Sequence, residues 1–303
     1  MAAGAGAAVV TAPGATAGVP RMWWPAPAKL NLFLHVTGRR GDGYHDLQTV
    51  FQLLDWGDEI GIAVTDEPAI VRVAGPAAIA ADEDLTVRAA RALQQAAGVR
   101  RGARLRVRKR VPTGGGLGGG SSDAATVLRV LDRLWGTGLG VPELARLGLA
   151  LGSDVPVFVR GFSAWAEGRG EILTPLELPE AWYLIVHPGV AVATAGIFQA
   201  PELTRNSPLI TIRAFSPAQT RNDCESLVRR RYPAVAEALD WLGERAGAPA
   251  GARLSGTGAC VFAAFARAAE AERVAARVPE EWTSFVARGV NRSPLAAALS
   301  ESE

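Results

Sequence analysis

The chain is poor in the residues that build metal centres and disulfide frameworks. Its 303 residues include two cysteines, Cys224 and Cys260, and three histidines, His35, His45 and His187. No CxxC or HxxxH spacing occurs, so nothing reads as a structural zinc site. Nor do two distant cysteines make the staple of a small secreted domain, and they are read as reduced thiols of a cytoplasmic protein. An excess of one charge is missing as well. Thirty-two Lys+Arg against 30 Asp+Glu leave a net charge of +2, without the basic footprint of a nucleic-acid binder. No run of 18 apolar residues is present, so no membrane span is expected. The first twenty residues carry no charged side chain and are broken by Gly and Pro throughout. They lack the basic start and continuous apolar stretch of a signal peptide, and residues 1–21 are expected to form a disordered tail.

What is present is a globular composition, 49% hydrophobic and 20% charged, in a chain long enough for two domains. Glycine is in excess: 34 residues, where average usage of about 7% would give roughly 21. No G-X-Y period accompanies the 19 prolines, which excludes collagen. The position of the excess therefore matters more than its size.

From Ala28 to Val36 the chain alternates as a strand does: Leu30, Leu32, Leu34 and Val36 on one side, Lys29, Asn31, Phe33 and His35 on the other. The second face reads as solvated, although Phe33 on it argues against a fully wet surface. The turn-rich residues 37–43 follow, and residues 47–54 resume as a β-rich run. Asp82-Glu83-Asp84 stand where a helix spaced on Leu85, Ala89, Ala92, Leu93 and Ala96 would begin, and Gly98 would end it. Acids at the positive helix end need no catalytic explanation. Residues 104–111, RLRVRKRV, alternate again and read as an edge strand with a charged, solvated face. Further on, a helix is expected over 234–246, a glycine turn with a strand over 253–265, a helix over 268–278 and a strand over 283–290. That order suits a small α+β layer.

The glycine excess concentrates in Pro112-Thr113-Gly114-Gly115-Gly116-Leu117-Gly118-Gly119-Gly120-Ser121-Ser122, where six of the seven positions 114–120 are glycine. Ala124, Val127, Leu128, Leu131 and Leu134 then recur at helical spacing. A strand, a glycine loop and a helix N-terminus in that order bring together free N–H groups and a helix dipole, an anion site suited to phosphate. No lysine follows the last glycine, so the P-loop pattern fails. RLRVRKRV is not the buried apolar strand that a Rossmann unit requires, and no HRD or DFG is present.

Several segments together resemble the GHMP kinase superfamily: PAKLNLFLHVTGRRGDGYHDLQTVFQLLD (27–55), PTGGGLGGGSSDAA (112–125), LGSDVPVF (151–158), AWAEGRGEIL (164–173), RNDCE (221–225) and LSGTGACVF (254–262). The resemblance is to the branch of that superfamily whose acceptor carries a cytidine diphosphate. It implies a two-domain α/β (α+β) fold, an N-terminal ATP-binding domain over 22–165 and a C-terminal ferredoxin-like domain over 166–299, with the active site between them. It implies transfer of the ATP γ-phosphate to the 2-hydroxyl of a cytidine-diphosphate-linked methylerythritol, a small molecule of isoprenoid precursor synthesis, with Mg2+ accompanying the nucleotide. Lys29 and Asp154 would be the catalytic pair, residues 112–122 the triphosphate cradle and Lys109 a border of the adenine. Tyr44, His45 and Phe198 would form a cytosine pocket; Asn31 and Thr194 would contact the acceptor. Two positions depart from the pattern, Ala195 where a proline is expected after Thr194, and Asp123 where a neutral amide is more usual. Another GHMP-type small-molecule kinase and a non-catalytic nucleotide-binding module remain the alternatives.

The chemistry is consistent with those residue types. A carboxylate beside the acceptor hydroxyl can take its proton, and a lysine can hold that acid ionised. Asp154, in Gly-Ser-Asp-Val-Pro, reads from its own neighbours as a turn former, and it is the resemblance that makes it a base. Ser121 and Ser122 are both open as magnesium ligands. Gly256-Thr257-Gly258 reads as a second backbone wall or as a tight turn, and Asn222 or Asp223 as a helix cap.

Overall fold

The computed structural model describes residues 22–246 and 251–301; the expected tail at 1–21 lies outside them. Two long strands organise the first half. β1 (Trp23–Arg39) and β2 (His45–Thr65) pair antiparallel through a tight turn, where Gly43 takes a φ of 87° and Asp42 accepts a hydrogen bond from the Tyr44 N–H. β1 is not the half-wet strand that its alternation suggested. Irregularities after Pro27, Asn31 and Val36 shift its register, and both faces are covered, with Lys29, Asn31 and His35 all buried.

β3 (Ile70–Ala74) and β4 (Gly102–Arg108) extend the sheet beside β2. β4 was expected at an edge, yet it runs between β3 and β2, and β3 takes the edge instead. Charge on one face of β4 therefore reflects solvent above the sheet, not an open side. α1 (Leu85–Ala97) follows the predicted signals: Asp84 caps it by accepting from the Thr86 N–H, and Gly98 ends it with a φ of 63°. α2 (Gly119–Trp135), α3 (Gly140–Leu151) and α4 (Val155–Arg160) pack with α1 on this sheet, and Leu93, Leu105, Leu128, Leu131 and Phe158 fill the core between them.

β5 (Ala164–Glu167) pairs with β2 and with β6 (Ile172–Pro175), so the expected division at 165/166 falls inside a strand. The second unit contains β7 (Trp182–His187), α5 (Thr194–Gln199), α6 (Glu225–Arg231), α7 (Pro233–Ala246), β8 (Arg253–Leu254), β9 (Val261–Phe265), α8 (Ala268–Ala275) and β10 (Thr283–Val290). Its antiparallel strand order, β10-β7-β9-β8, with helices between β7 and β8 and between β9 and β10, is the ferredoxin-like βαββαβ arrangement. The end of β10 pairs with β2 at Gly289 and Val290, joining the two units in one sheet. α9 (Pro294–Glu301) then returns to the first unit, burying Leu295 and Leu299 in its core rather than in the second.

A third apolar cluster lies between the units and includes Leu30, Phe33, Leu117, Trp165, Ile185, Cys260 and Phe262. Cys224 and Cys260 are buried free thiols, raised by burial. Among the described residues no helix is long and apolar enough to cross a membrane.

Candidate active site

A cavity of about 660 Å³ opens between the two units. Its walls come from β1, the start of β2, the glycine loop, the residues before α1 and α4, both ends of α5 and the 256–257 turn. The size suits a nucleotide and an acceptor in contact.

The glycine loop forms one half. Gly114, Gly116 and Gly118 have φ of 70°, 74° and 73°, the left-handed region that favours glycine. Left-handed residues at every second position turn successive N–H groups to one side, which is how a backbone nest for anions is built. α2 begins at Gly119, earlier than the apolar spacing indicated, and no side chain caps it. Its first amides are thus left for a ligand, at the positive end of a 17-residue helix. The loop carbonyls are occupied elsewhere: those of Gly114 and Gly115 accept from the Ala259 and Cys260 N–H groups, and that of Leu117 accepts from the Lys29 N–H. Gly116 accepts from both Lys29 Nζ and Ser255 Oγ, and a Cβ there would lie 2.1 Å from the Ser255 carbonyl oxygen. Residues 255–258 are therefore a wall against the loop and a turn at once.

Pro112 through Gly120 and Ser121 line the cavity. Ser122 does not; its hydroxyl is buried in α2 without a partner. Pro76, Ile79 and Leu85 supply an apolar wall beside Lys109 that the sequence did not reveal. Lys109 Nζ donates to Asp58 at 2.5 Å and to Asp123 at 2.9 Å. Asp58 also accepts from the Arg110 and Val111 N–H groups at 2.6 and 2.8 Å. Burial pushes the Asp123 carboxyl up to about 8, with Lys109 opposing the shift and Asp58 adding to it. Asp123 thus presents no unanswered negative charge to the loop.

The other half is built from side chains. Lys29 Nζ lies 3.3 Å from Asp154 Oδ2 and donates to Asn31 Oδ1 at 2.5 Å and to the Gly116 carbonyl at 2.9 Å. Lys29 is buried while the Asp154 side chain is 32% exposed, so the acid is the partner that reaches into the cavity. Asp154 directly precedes α4, which holds it against a rigid element. Asn31 is fixed in turn: its amide donates to Thr49 Oγ1 at 3.0 Å, and its backbone N–H donates to Ser255 Oγ at 3.2 Å.

About the cavity's other end, the His45 ring stacks on Phe198 with centroids 5.3 Å apart. Tyr44 is exposed, its ring 4.4 Å from the Arg169 guanidinium. Direct contact between His45 and Phe198 leaves no slot between those two rings, so a base would lie beside the pair rather than within it. Burial and the Arg205 guanidinium, with Arg39, hold the His45 imidazole below its ordinary pKa, against the opposing charge of Asp46. Thr194 Oγ1 lies 3.0 Å from Thr257 Oγ1, joining α5 to the 256–258 turn. The missing proline does not prevent α5 from forming, because Ala195 in its first turn adopts the helical backbone.

The segment Arg221–Glu225 was read as a helix cap and is something else. α6 has no side-chain cap. Asn222 donates to the Leu254 and Gly256 carbonyls at 2.9 and 2.7 Å, and Asp223 accepts from the Val36 N–H at 2.7 Å. With backbone bonds to Leu34 on both sides, the segment clamps β1 to the 254–256 turn. Only contacts between elements far apart in sequence disclose this role, as they do those of Ser255 and Thr49.

The family models GHMP kinases N terminal domain and GHMP kinases C terminal match residues 84–162 and 203–284. The chain is 57% identical over 276 residues to the 4-diphosphocytidyl-2-C-methyl-D-erythritol kinase of Alkalilimnicola ehrlichii (strain ATCC BAA-1101 / DSM 17681 / MLHE-1), covering 91% of this chain and 94% of that protein. It is 56% identical over 281 residues to the enzyme of the same name from Halorhodospira halophila (strain DSM 244 / SL1), covering 92% and 96%. A crystal structure of a 4-(cytidine 5'-diphospho)-2C-methyl-D-erythritol kinase superposes with a TM-score of 0.77 at 32% identity, over 89% of this chain and all of that one. The mevalonate kinase of Methanococcus jannaschii, at 16% identity and a TM-score of 0.66 over 92% of this chain and all of that one, shares the fold. The chain belongs to the 4-diphosphocytidyl-2-C-methyl-D-erythritol kinases of the GHMP family, phosphotransferases with an alcohol as acceptor.

Proposed function

We propose that the chain transfers the γ-phosphoryl group of ATP to the 2-hydroxyl of 4-diphosphocytidyl-2-C-methyl-D-erythritol, giving the 2-phosphate and ADP in the non-mevalonate route to isoprenoid precursors. The observation that carries the reading is the Lys29–Asp154 pair at 3.3 Å, tied through Lys29 Nζ to the carbonyl of Gly116 in the phosphate nest. A hydroxyl beside Asp154 would face a γ-phosphate seated on the loop.

The steps follow from that placement. The Asp154 carboxylate takes the proton of the acceptor hydroxyl as its oxygen attacks the γ-phosphorus, and the bond to the β-phosphate oxygen breaks to release ADP. Lys29, 3.3 Å from Asp154, balances the charge of the carboxylate and meets charge developing on the phosphoryl oxygens. The glycine-loop amides and the α2 N-terminus hold the triphosphate, with Lys109 and the wall at Pro76, Ile79 and Leu85 beside the adenine. No cluster of three or more His, Cys, Asp or Glu side chains among the described residues is placed to hold a metal ion. Mg2+ would then ride on phosphate oxygens and water, with the Ser121 hydroxyl within the cavity lining. Tyr44, His45 and Phe198 offer the aromatic faces and the ring edge that a cytosine needs, and Asn31 and Thr194 the polar contacts to the acceptor.

A coupled assay of ADP release, run with ATP and with or without the cytidylyl acceptor, tests the reading. ADP release that requires the acceptor is expected. ATP binding without any turnover would reduce the protein to a nucleotide-binding module, and faster turnover on an acceptor lacking cytidine would make it a different small-molecule kinase.

A further inference from the structure

Arg205 does not line the cavity, yet it holds the two sides of the proposed base pocket together. Every N–H of its guanidinium is engaged. The Nη1 group donates to the Leu203 and Pro201 carbonyls at 3.0 and 3.4 Å, and Nη2 to the Ala200 and Phe198 carbonyls at 2.6 and 2.9 Å. These are carbonyls at and beyond the C-terminal end of α5, the kind that a helix leaves without an internal partner. The fifth donor, Nε–H, points to His45 Nε2 at 3.0 Å.

That last bond has a chemical consequence. A guanidinium stays protonated at any ordinary pH and cannot accept a hydrogen bond, so its partner nitrogen must carry a lone pair. A neutral imidazole with a lone pair on Nε2 has its proton on Nδ1. His45 Nδ1 makes no hydrogen bond to the protein among the described residues, and the ring lines the cavity.

We infer that Arg205 is a positioning residue that sets base specificity: it locks His45 in the Nδ1–H tautomer, so the pocket selects a pyrimidine whose edge offers an acceptor at N3. The inference rests on the cytosine-pocket reading above. Cytosine has an acceptor at N3, whereas uracil carries N3–H and would bring one donor against another. An unrestrained imidazole could exchange tautomers and accept either base; His45 cannot. Nor can it escape by taking a second proton, because an imidazolium would place N–H against the Arg205 N–H. The charged neighbours act in both directions, Arg205 and Arg39 against protonation and Asp46 in favour, with burial on the side of the arginines.

The first test needs no ligand and no variant of the pocket. With only three histidines in the chain, ¹⁵N-histidine labelling of the full-length protein, assigned through His35→Asn and His187→Asn, reads the His45 tautomer directly. An Nδ1–H pattern that persists below pH 6 is expected. An Nε2–H pattern would overturn the inference. The second test compares kcat/KM for the cytidylyl acceptor and its uridylyl analogue in the wild type and in Arg205→Gln. The wild type should prefer the cytidylyl acceptor by about 100-fold or more, and the variant should lose about tenfold or more of that preference. Loosening of α5 alone would weaken both acceptors together and leave the ratio intact, and an unchanged ratio would overturn the role of Arg205. If the wild type showed no preference while His45 held the Nδ1–H tautomer, the cytosine-pocket reading itself would fail, and the specificity claim with it.

Discussion

The two halves of the cavity are made in different ways. The half proposed to hold the nucleotide is backbone, supplied mostly by one continuous stretch from Lys109 to Ser121. The half proposed for the acceptor is side chains, drawn from β1, the start of β2, the approach to α4, both ends of α5 and the 256–257 turn, and kept in place by residues behind them such as Arg205 and Asn222. A backbone nest needs only glycines in the right conformation and a helix to follow. A side-chain pocket needs both units docked before any of it exists. The nucleotide half should therefore yield only to changes in local backbone, and the acceptor half to substitutions spread over the whole chain.

The sharpest break in that contrast is at the proposed reacting pair, where one side chain would serve the reaction with both ligands. Asp154→Asn should fold and bind both substrates, yet lose about 10²–10⁴-fold in kcat, the usual contribution of a placed base. Near-normal turnover would remove Asp154 from the chemistry. Next in size is Gly116→Ala, at the one loop residue whose carbonyl contacts both Lys29 and Ser255. With a φ of 74° and an added Cβ 2.1 Å from the Ser255 carbonyl oxygen, alanine must displace the 255–258 wall. Both KM values should rise and the melting temperature should fall. A rise for ATP alone would mean that the halves are less joined at this point than the hydrogen bonds indicate.

How far each half was readable in the sequence follows the same division. The glycine run, the acids before α1 and, in the ferredoxin-like layer, α7, β8, β9, α8 and β10 are local patterns, and they stand in the structure with shifted ends, whereas β7 and α5 gave no such pattern. Register irregularities in β1, the place of β4 inside the sheet and the return of α9 to the first core are decided by partners distant in the chain. Alternation along β1 could not show that Lys29 is buried, since its cover comes from the glycine loop and from Asp154. Lys29, Asp154, Tyr44, His45 and Phe198 were assembled through family resemblance, not through spacing. Arg205 carried no signal of either kind, and Asn222, inside the resembling segment 221–225, read only as a helix cap, because the partners of both lie far off in the chain.

Phe198→Ala addresses the acceptor half alone. Removing the ring that stacks on His45 should raise KM for the cytidylyl acceptor about tenfold, in line with ~1–3 kcal/mol for a base–aromatic stack, and leave KM for ATP within about twofold. Equal losses for both ligands would make Phe198 a folding residue and would weaken the division between the halves.

The smallest effect expected lies under the nucleotide half, at the two carboxylates that share Lys109. A carboxyl raised from 3.8 to about 8 binds its proton more tightly in the folded than in the unfolded chain. Its contribution to stability is therefore complete below the unfolded value and declines as pH rises through about 8. Asparagine cannot titrate, and Lys109 would keep Asp58 as its partner in the Asp123→Asn variant. Wild type and variant should differ least in melting temperature near pH 5, and the variant should gain by at least about 2 °C between pH 5 and pH 9. A constant difference across that range would mean that Asp123 is ionised in the fold, with Lys109 dividing its charge between two carboxylates. The phosphate nest would then sit above a net negative charge, and its backbone amides would have to outweigh that charge for a triphosphate to bind.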